Sequence, residues 1–143
     1  EAFASLKKPG FDLRYNFLGG GDTDFFVRCR EAGVSFYWEA DAVITETVPD
    51  NRTSFGWLTS RGLRIGAINY RVESNLAHGL AAHLRLVAKT LLLLPLGVFR
   101  ALRLVSSGQR LTVALHPLAV SIGRALAAIG IEPRPYKASK VSS

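Results

Sequence analysis

The sequence predicts an α/β chain whose mixed N-terminal region hands over to basic, apolar helices. Three observations carry that prediction. A helical period begins at Asp22, two β-branched and aromatic runs follow at 34–39 and 42–48, and the composition changes after Asn75. Hydrophobic residues make up 48% of the 143 and charged residues 20%. That balance excludes a disordered or low-complexity chain and suits one domain-sized unit.

Residues 1–20 read as short apolar words broken by Pro9, Gly10, Asn16 and a glycine run, a loop with one short strand at most. From Asp22, Phe25, Phe26 and Cys29 recur at helical spacing, and Gly33 stands where a C′ glycine belongs. Asp22, Thr23 or Asp24 is expected to cap that helix, because carboxylates are favoured at its positive end. VSFYWE (34–39) and AVITETV (42–48) then read as two strands around a turn at Ala40–Asp41. Pro49, Asp50 and Asn51 close the second strand, and a helix is expected from about Thr53 to Ser74.

That helix has a readable face. At about 100° per residue, Trp57, Arg61, Arg64, Ile68 and Arg71 fall within an arc of roughly 80°. Two readings fit it: a solvated basic face with Trp57 at its edge, or an anion site in which guanidinium forks meet phosphate oxygens.

Charge is distributed unevenly. Residues 1–51 carry five bases and nine acids, whereas residues 52–143 carry thirteen bases and two acids. Such asymmetry suggests two jobs in one chain. Beyond Asn75 the cations are spaced through Leu, Ala and Val. Thr90–Phe99 and Leu111–Gly123 hold no charge, and Lys89, Arg100, Arg103 and Arg124 bracket them. Both uncharged runs fall short of the ~20 residues that span a bilayer. They predict a hairpin joined at Ser106–Gln109, kinked at Pro95 and lying on an anionic membrane surface. An ordinary helical pair over a core is the plain alternative, and a tilted span over 111–131 a further one. The tail from Pro133 is polar. Cys29 stands alone, so no disulfide framework or multi-cysteine metal site is expected. A chain without Met that begins at Glu1 is expected to be processed or a piece of something longer.

The densest chemistry lies in FDLRYNFLGGGDTDFFVRCREAG (11–33). Glycines let a backbone approach a ligand, and Asp22 and Asp24 follow at once. Both acids could simply begin a helix. A calcium loop is not expected, since the later oxygen ligands and closing Glu are missing. GGGDTDFF, followed after about twenty-five residues by VPDNRTSFGWLTSRGLRIG (48–66), resembles family 2 inverting glycosyltransferases of the GT-A type, in their bacterial exopolysaccharide (succinoglycan-type) branch.

That resemblance covers most of residues 11–75 and, more loosely, the basic tail ending in PRPYK. It implies an α/β fold, the C-terminal half of a GT-A nucleotide-sugar transferase domain, over 1–75. A membrane-associated helical hairpin would follow over 76–132, then a flexible tail over 133–143. Asp22 would be the general base, with Asp24 the runner-up. Gly20, Gly21, Arg52, Trp57, Arg61 and Arg64 would hold the acceptor or the donor diphosphate. A divalent metal, Mg or Mn, is implied for the intact enzyme, with its ligands upstream of this chain and none within it. The implied partners are a nucleotide-sugar donor, a lipid-linked or saccharide acceptor and an anionic membrane surface, on the cytoplasmic face of the bacterial inner membrane.

Two positions depart from the family pattern. Gly21 replaces a usual Glu, and Trp57 lies five residues after Arg52 rather than adjacent to an arginine, as in processive synthases. Addition of one sugar is therefore expected rather than polymerisation. Two other classes compete. A non-catalytic membrane adaptor would use 1–75 for docking. A nucleic-acid module would use the basic half, but its cations are diluted by apolar runs, aromatics are scarce after Tyr70 and no nucleic-acid motif appears, so no nucleic acid is expected as a partner.

Overall fold

The computed structural model describes Leu6 and residues 10–133. Among these residues the chain is helical, with five α-helices: α1 (Gly21–Glu31), α2 (Phe55–Leu76), α3 (Gly79–Ser106), α4 (Leu111–Ala114) and α5 (His116–Ala128). Short 3-10 turns occupy Leu13–Tyr15 and Asp50–Thr53.

The α/β expectation is overturned, because no strand forms among the described residues. Residues 34–39 and 42–48 are irregular, although the turn at Ala40–Asp41 is present. Tyr37 and Trp38 are 92% and 93% exposed, and Ile44 is equally open. The physical reason lies in what β-propensity measures, namely how a side chain fits a pleated, half-buried surface. Here no neighbouring strand or covering layer supplies that surface, and an isolated hairpin is marginal by itself.

Helix starts also differ from expectation. The N-cap of α1 is Gly20, in the left-handed region at φ 84° and without a side-chain cap bond. Asp22 and Asp24 occupy the first turn, where the helix dipole favours them, but neither caps it. The far end behaves as read, with Gly33 at φ 79° after the last turn. Helix α2 begins slightly later than expected, capped by Ser54, whose Oγ accepts the Trp57 N–H at 3.3 Å. Pro95 lies inside α3, which continues helically beyond it.

Helix α5 is the centre of the molecule. It packs along α2 on one side and α3 on the other, while α2 and α3 scarcely meet. Small residues make this possible. A Cβ on Gly66 would run into the Val120 carbonyl, one on Gly123 into the Leu63 carbonyl, and one on Gly62 would come within 2.9 Å of the Ala119 Cβ. Gly62 and Gly66, like Ala119 and Gly123, stand four apart and so share one helix face, which lets the two backbones approach closely. On the other side, Gly97 of α3 leaves room for Ser121.

The core continues from this seam into the N-terminal region. Tyr15, Leu18, Ala67, Ile68, Val72 and Ala127 form one buried cluster. Leu6, Phe25 and Cys29 form a second beneath α1, with Val34 against it.

Two segments, α3 and Leu111–Ala128, are long and apolar enough to cross a membrane. The uncharged runs alone underestimate them, because each helix carries cations within its length. On α3, Leu80, Leu84, Val87, Leu91, Val98, Leu102 and Val105 are exposed at intervals of three, four and seven. That spacing makes one continuous apolar stripe.

Candidate functional site

The glycine run sits where two helices meet. Gly19 and Gly20 both adopt φ near 85°, a region open to glycine, and they turn the chain sharply into α1. A Cβ on Gly20 would lie 2.5 Å from Ile68 Cγ2. Gly20 therefore has two reasons to be glycine, and its close approach brings the start of α1 against the middle of the α2 stripe. Gly21 has neither reason. Its φ is ordinary and a Cβ would meet Tyr15 at a comfortable 3.6 Å.

The two acids after the glycines have different surroundings. Asp22 is exposed, and its Oδ1 accepts the neighbouring Thr23 N–H at 2.8 Å. Asp24 is 3% exposed. Its Oδ2 accepts from Arg28 Nε at 2.8 Å, and its Oδ1 is 3.5 Å from Asn75 Nδ2, which also donates to the Tyr15 hydroxyl at 3.0 Å. Burial, reinforced by the Asp24 carboxylate, pushes the Tyr15 hydroxyl well above its ordinary range. Arg28 in turn donates to the Gly10 carbonyl at 2.7 Å. Asp24 thus ties α1 to α2 and to the preceding loop.

A cavity of about 880 Å³ opens beside this network, lined by Asp24, Arg28, Asn75, Phe11, Arg14 and His78 among others. Asp12, also in its lining, receives three guanidinium hydrogen bonds from Arg14, with Nε shared between both oxygens and Nη2 donating to Oδ2. Those bonds hold the Asp12 carboxyl down at about 2, against a smaller opposing effect of burial.

The predicted arginine stripe is divided. Arg61 lies over the Trp57 ring at 5.2 Å and is exposed. Arg64 is half-buried, and Ile68 is buried against Gly20. Arg71 is closed by a bidentate pair with Glu132, at 2.8 and 2.5 Å. Arg52 lies off the helix and pairs with Glu46 at 3.6 Å on an exposed surface. Glycine run and stripe are brought together at Ile68; Arg52 stands apart from that contact. Among the described residues, no cluster of three His, Cys, Asp or Glu could hold a metal ion.

A second polar centre had no signal in the residue spacing. Arg124 is 3% exposed and uses all three guanidinium nitrogens: Nη1 and Nη2 donate to Glu73 at 3.1 and 2.7 Å, and Nε donates to Thr90 Oγ1 at 3.1 Å. Lys89 donates to the same carboxylate at 2.8 Å. Burial raises the Glu73 carboxyl, but these cationic hydrogen bonds outweigh it and leave the group below its ordinary value.

No protein-family model matches the chain, and no solved structure matches it. It is similar to the succinoglycan biosynthesis protein ExoM of Rhizobium meliloti (strain 1021), with 40% identity over 77 residues. That match covers 54% of this chain and 25% of ExoM, so the chain spans about a quarter of the curated relative's length.

Proposed function

We propose that this chain belongs to a glycosyltransferase that adds a single sugar during exopolysaccharide synthesis of the succinoglycan type. The 40% identity to ExoM over 77 residues carries this reading. The approach of Gly20 to Ile68 supports it, because it brings the start of α1, where Asp22 lies, against the helix that carries Arg61 and Arg64.

Asp22 acts as the general base. A base must be accessible and must not already be neutralised by a cation, and among the described residues Asp22 is exposed and forms no ion pair. Asp24 is engaged by Arg28 and positions the helix instead. As the acceptor hydroxyl oxygen bonds to the anomeric carbon, its proton passes to Asp22 and the bond to the nucleoside diphosphate breaks with inversion. Arg61 and Arg64 meet the charge developing on that leaving group. Trp57 holds the Arg61 plane, and Gly20 seats the start of α1 against Ile68. No step is assigned to a metal.

The apolar stripe of α3 and the cations beside it support a position on the cytoplasmic leaflet, next to a lipid-linked acceptor. The full-length Asp22→Asn protein tests the catalytic assignment. Turnover should fall by about 10²–10⁴ with donor affinity nearly unchanged. Intact turnover in Asp22→Asn, together with its abolition in Asp24→Asn, would move the base to Asp24.

A further inference from the structure

The cavity of about 880 Å³ has no part in the proton transfer assigned to Asp22. Asp24, Val27, Arg28 and Glu31 line it at steps of three, one and three, so they share one face of α1. Asp22 is not among them, because side chains two apart on a helix do not face the same way. Helix α2 contributes Val72 and Asn75, and the cavity reaches His78 just beyond that helix. Phe11 brings an aromatic ring that is 63% exposed and 5.2 Å from Phe25. The volume falls within the roughly 300–1,000 Å³ of ordinary small-molecule sites.

Its charges answer one another. The lining holds three carboxylates, Asp12, Asp24 and Glu31, and two guanidiniums, Arg14 and Arg28. Arg14 is paired with Asp12 and Arg28 with Asp24, so both cations already have a counter-charge. An incoming anion would meet a surplus of one negative charge. Two polar groups keep hydrogen-bonding capacity. Asn75 uses Nδ2 toward Tyr15 and Asp24, while its carbonyl oxygen accepts from no group among the described residues. The exposed His78 ring caps no backbone group and has no other partner among those residues. An amide and an imidazole, beside a phenyl face and the aliphatic Val27 and Val72, suit a neutral ring with C–H bonds on its faces and hydroxyls around its rim. A hexose is such a ring.

We propose that this cavity binds one hexose unit of a saccharide, with its C–H face on Phe11 and its hydroxyls on Asn75 and His78. The class of ligand follows from the lining; that the saccharide is the acceptor rests on the sugar-transfer reading. Because Asp22 lies on another face of α1, the bound unit is one behind the reacting sugar. His78 stands two residues before Leu80, where the exposed apolar stripe of α3 begins. The cavity thus adjoins the surface on which a lipid carrier would lie, the place for an inner sugar of a lipid-linked saccharide.

Saturation-transfer NMR on the full-length protein, without donor, measures binding of the methyl glycosides of glucose, galactose and mannose, and of the 6-phosphate and 2-amino forms of each sugar. At least one neutral glycoside should bind, and about tenfold more tightly than its charged forms. Phe11→Ala should weaken that binding about tenfold, whereas Phe11→Tyr keeps the ring and should retain it. Phe26 is the control, because it is exposed and absent from the cavity, so Phe26→Ala should bind as the wild type does. Asp22→Asn should also bind normally, which separates the site from the transfer. Binding that depends on Phe11 in a protein without turnover would keep the site and remove the transfer reading. Turnover that depends on Asp22, with no neutral glycoside bound, would remove the site alone. Preference for the phosphate or amino form, or equal losses in Phe11→Ala and Phe26→Ala, would likewise overturn it. Unchanged circular dichroism across the variants separates lost binding from lost folding.

Discussion

Gly66 of α2 lies with its Cα against the carbonyl of Val120 in α5, leaving no space for even a methyl group. A side chain at this point must force apart a pair of helices whose contact organises the whole bundle. Gly66→Ala should therefore cost about 2 kcal/mol in chemical denaturation, the usual range for an overpacked core. Gly56, also in α2, has open space around it. There the helix propensity of alanine should prevail, and Gly56→Ala should gain about 0.5 kcal/mol. Losses of equal size at both positions would mean that glycine serves the helix and not the seam.

Glu73 compensates a guanidinium that has almost no access to water. Glu73→Gln would leave Arg124 desolvated and without its counter-charge, at a cost of about 3 kcal/mol. Acid should act in the same direction. A carboxyl held below its unfolded value stabilises the fold fully only above that value, about pH 4.3, and stability then declines as the pH falls through the folded value. Denaturation of wild type and Glu73→Gln between neutral and acidic pH should therefore converge. Parallel curves would show that another carboxyl sets the acid limit.

Arg61 and Arg64 offer a sharper test of the stripe than removal of charge does. Lysine keeps the charge but lacks the planar fork. Arg61→Lys and Arg64→Lys should each lower kcat on the intact enzyme. For Arg61, loss of the stacking on Trp57 should change stability by less than about 1 kcal/mol. Unchanged kinetics in both variants would leave a solvated basic face.

Membrane attachment can be probed without disturbing the bundle, because the α3 stripe points away from it. Leu84, Leu91 and Leu102 are about 60% exposed. Changing all three to Gln should shift the full-length protein from pellet to supernatant while preserving its helicity. Retention in the pellet would assign attachment to another surface.

Much of the helical content was legible in the sequence, and the strands were not. Gly33 and the periodicity after Asp22 report local physics, which acts wherever the segment lies. Tyr37, Trp38 and Ile44 report only a preference for a half-buried sheet, and that preference has no effect without neighbours. At the candidate site, the grouping of Trp57, Arg61 and Arg64 followed from helical spacing alone. The closing of Arg71 by Glu132 did not, because the two are 61 residues apart. The Glu73–Arg124 pair was hidden for the same reason. Its separation of 51 residues leaves no local period to detect. The seam itself had a readable sign in Gly62-x-x-x-Gly66 and Ala119-x-x-x-Gly123, spacings that gain meaning only when set side by side.

The central place of α5 also fixes an order of assembly. On the ribosome α2 and α3 emerge first, and the helix on which both rest comes last. Until then the glycine face of α2 and the inner face of α3 have nothing to close upon, and contacts this distant in sequence form slowly. The outward leucines of α3, by contrast, need no partner from within the chain. They can meet an apolar surface as soon as that helix forms, before the rest of the bundle has closed around α5.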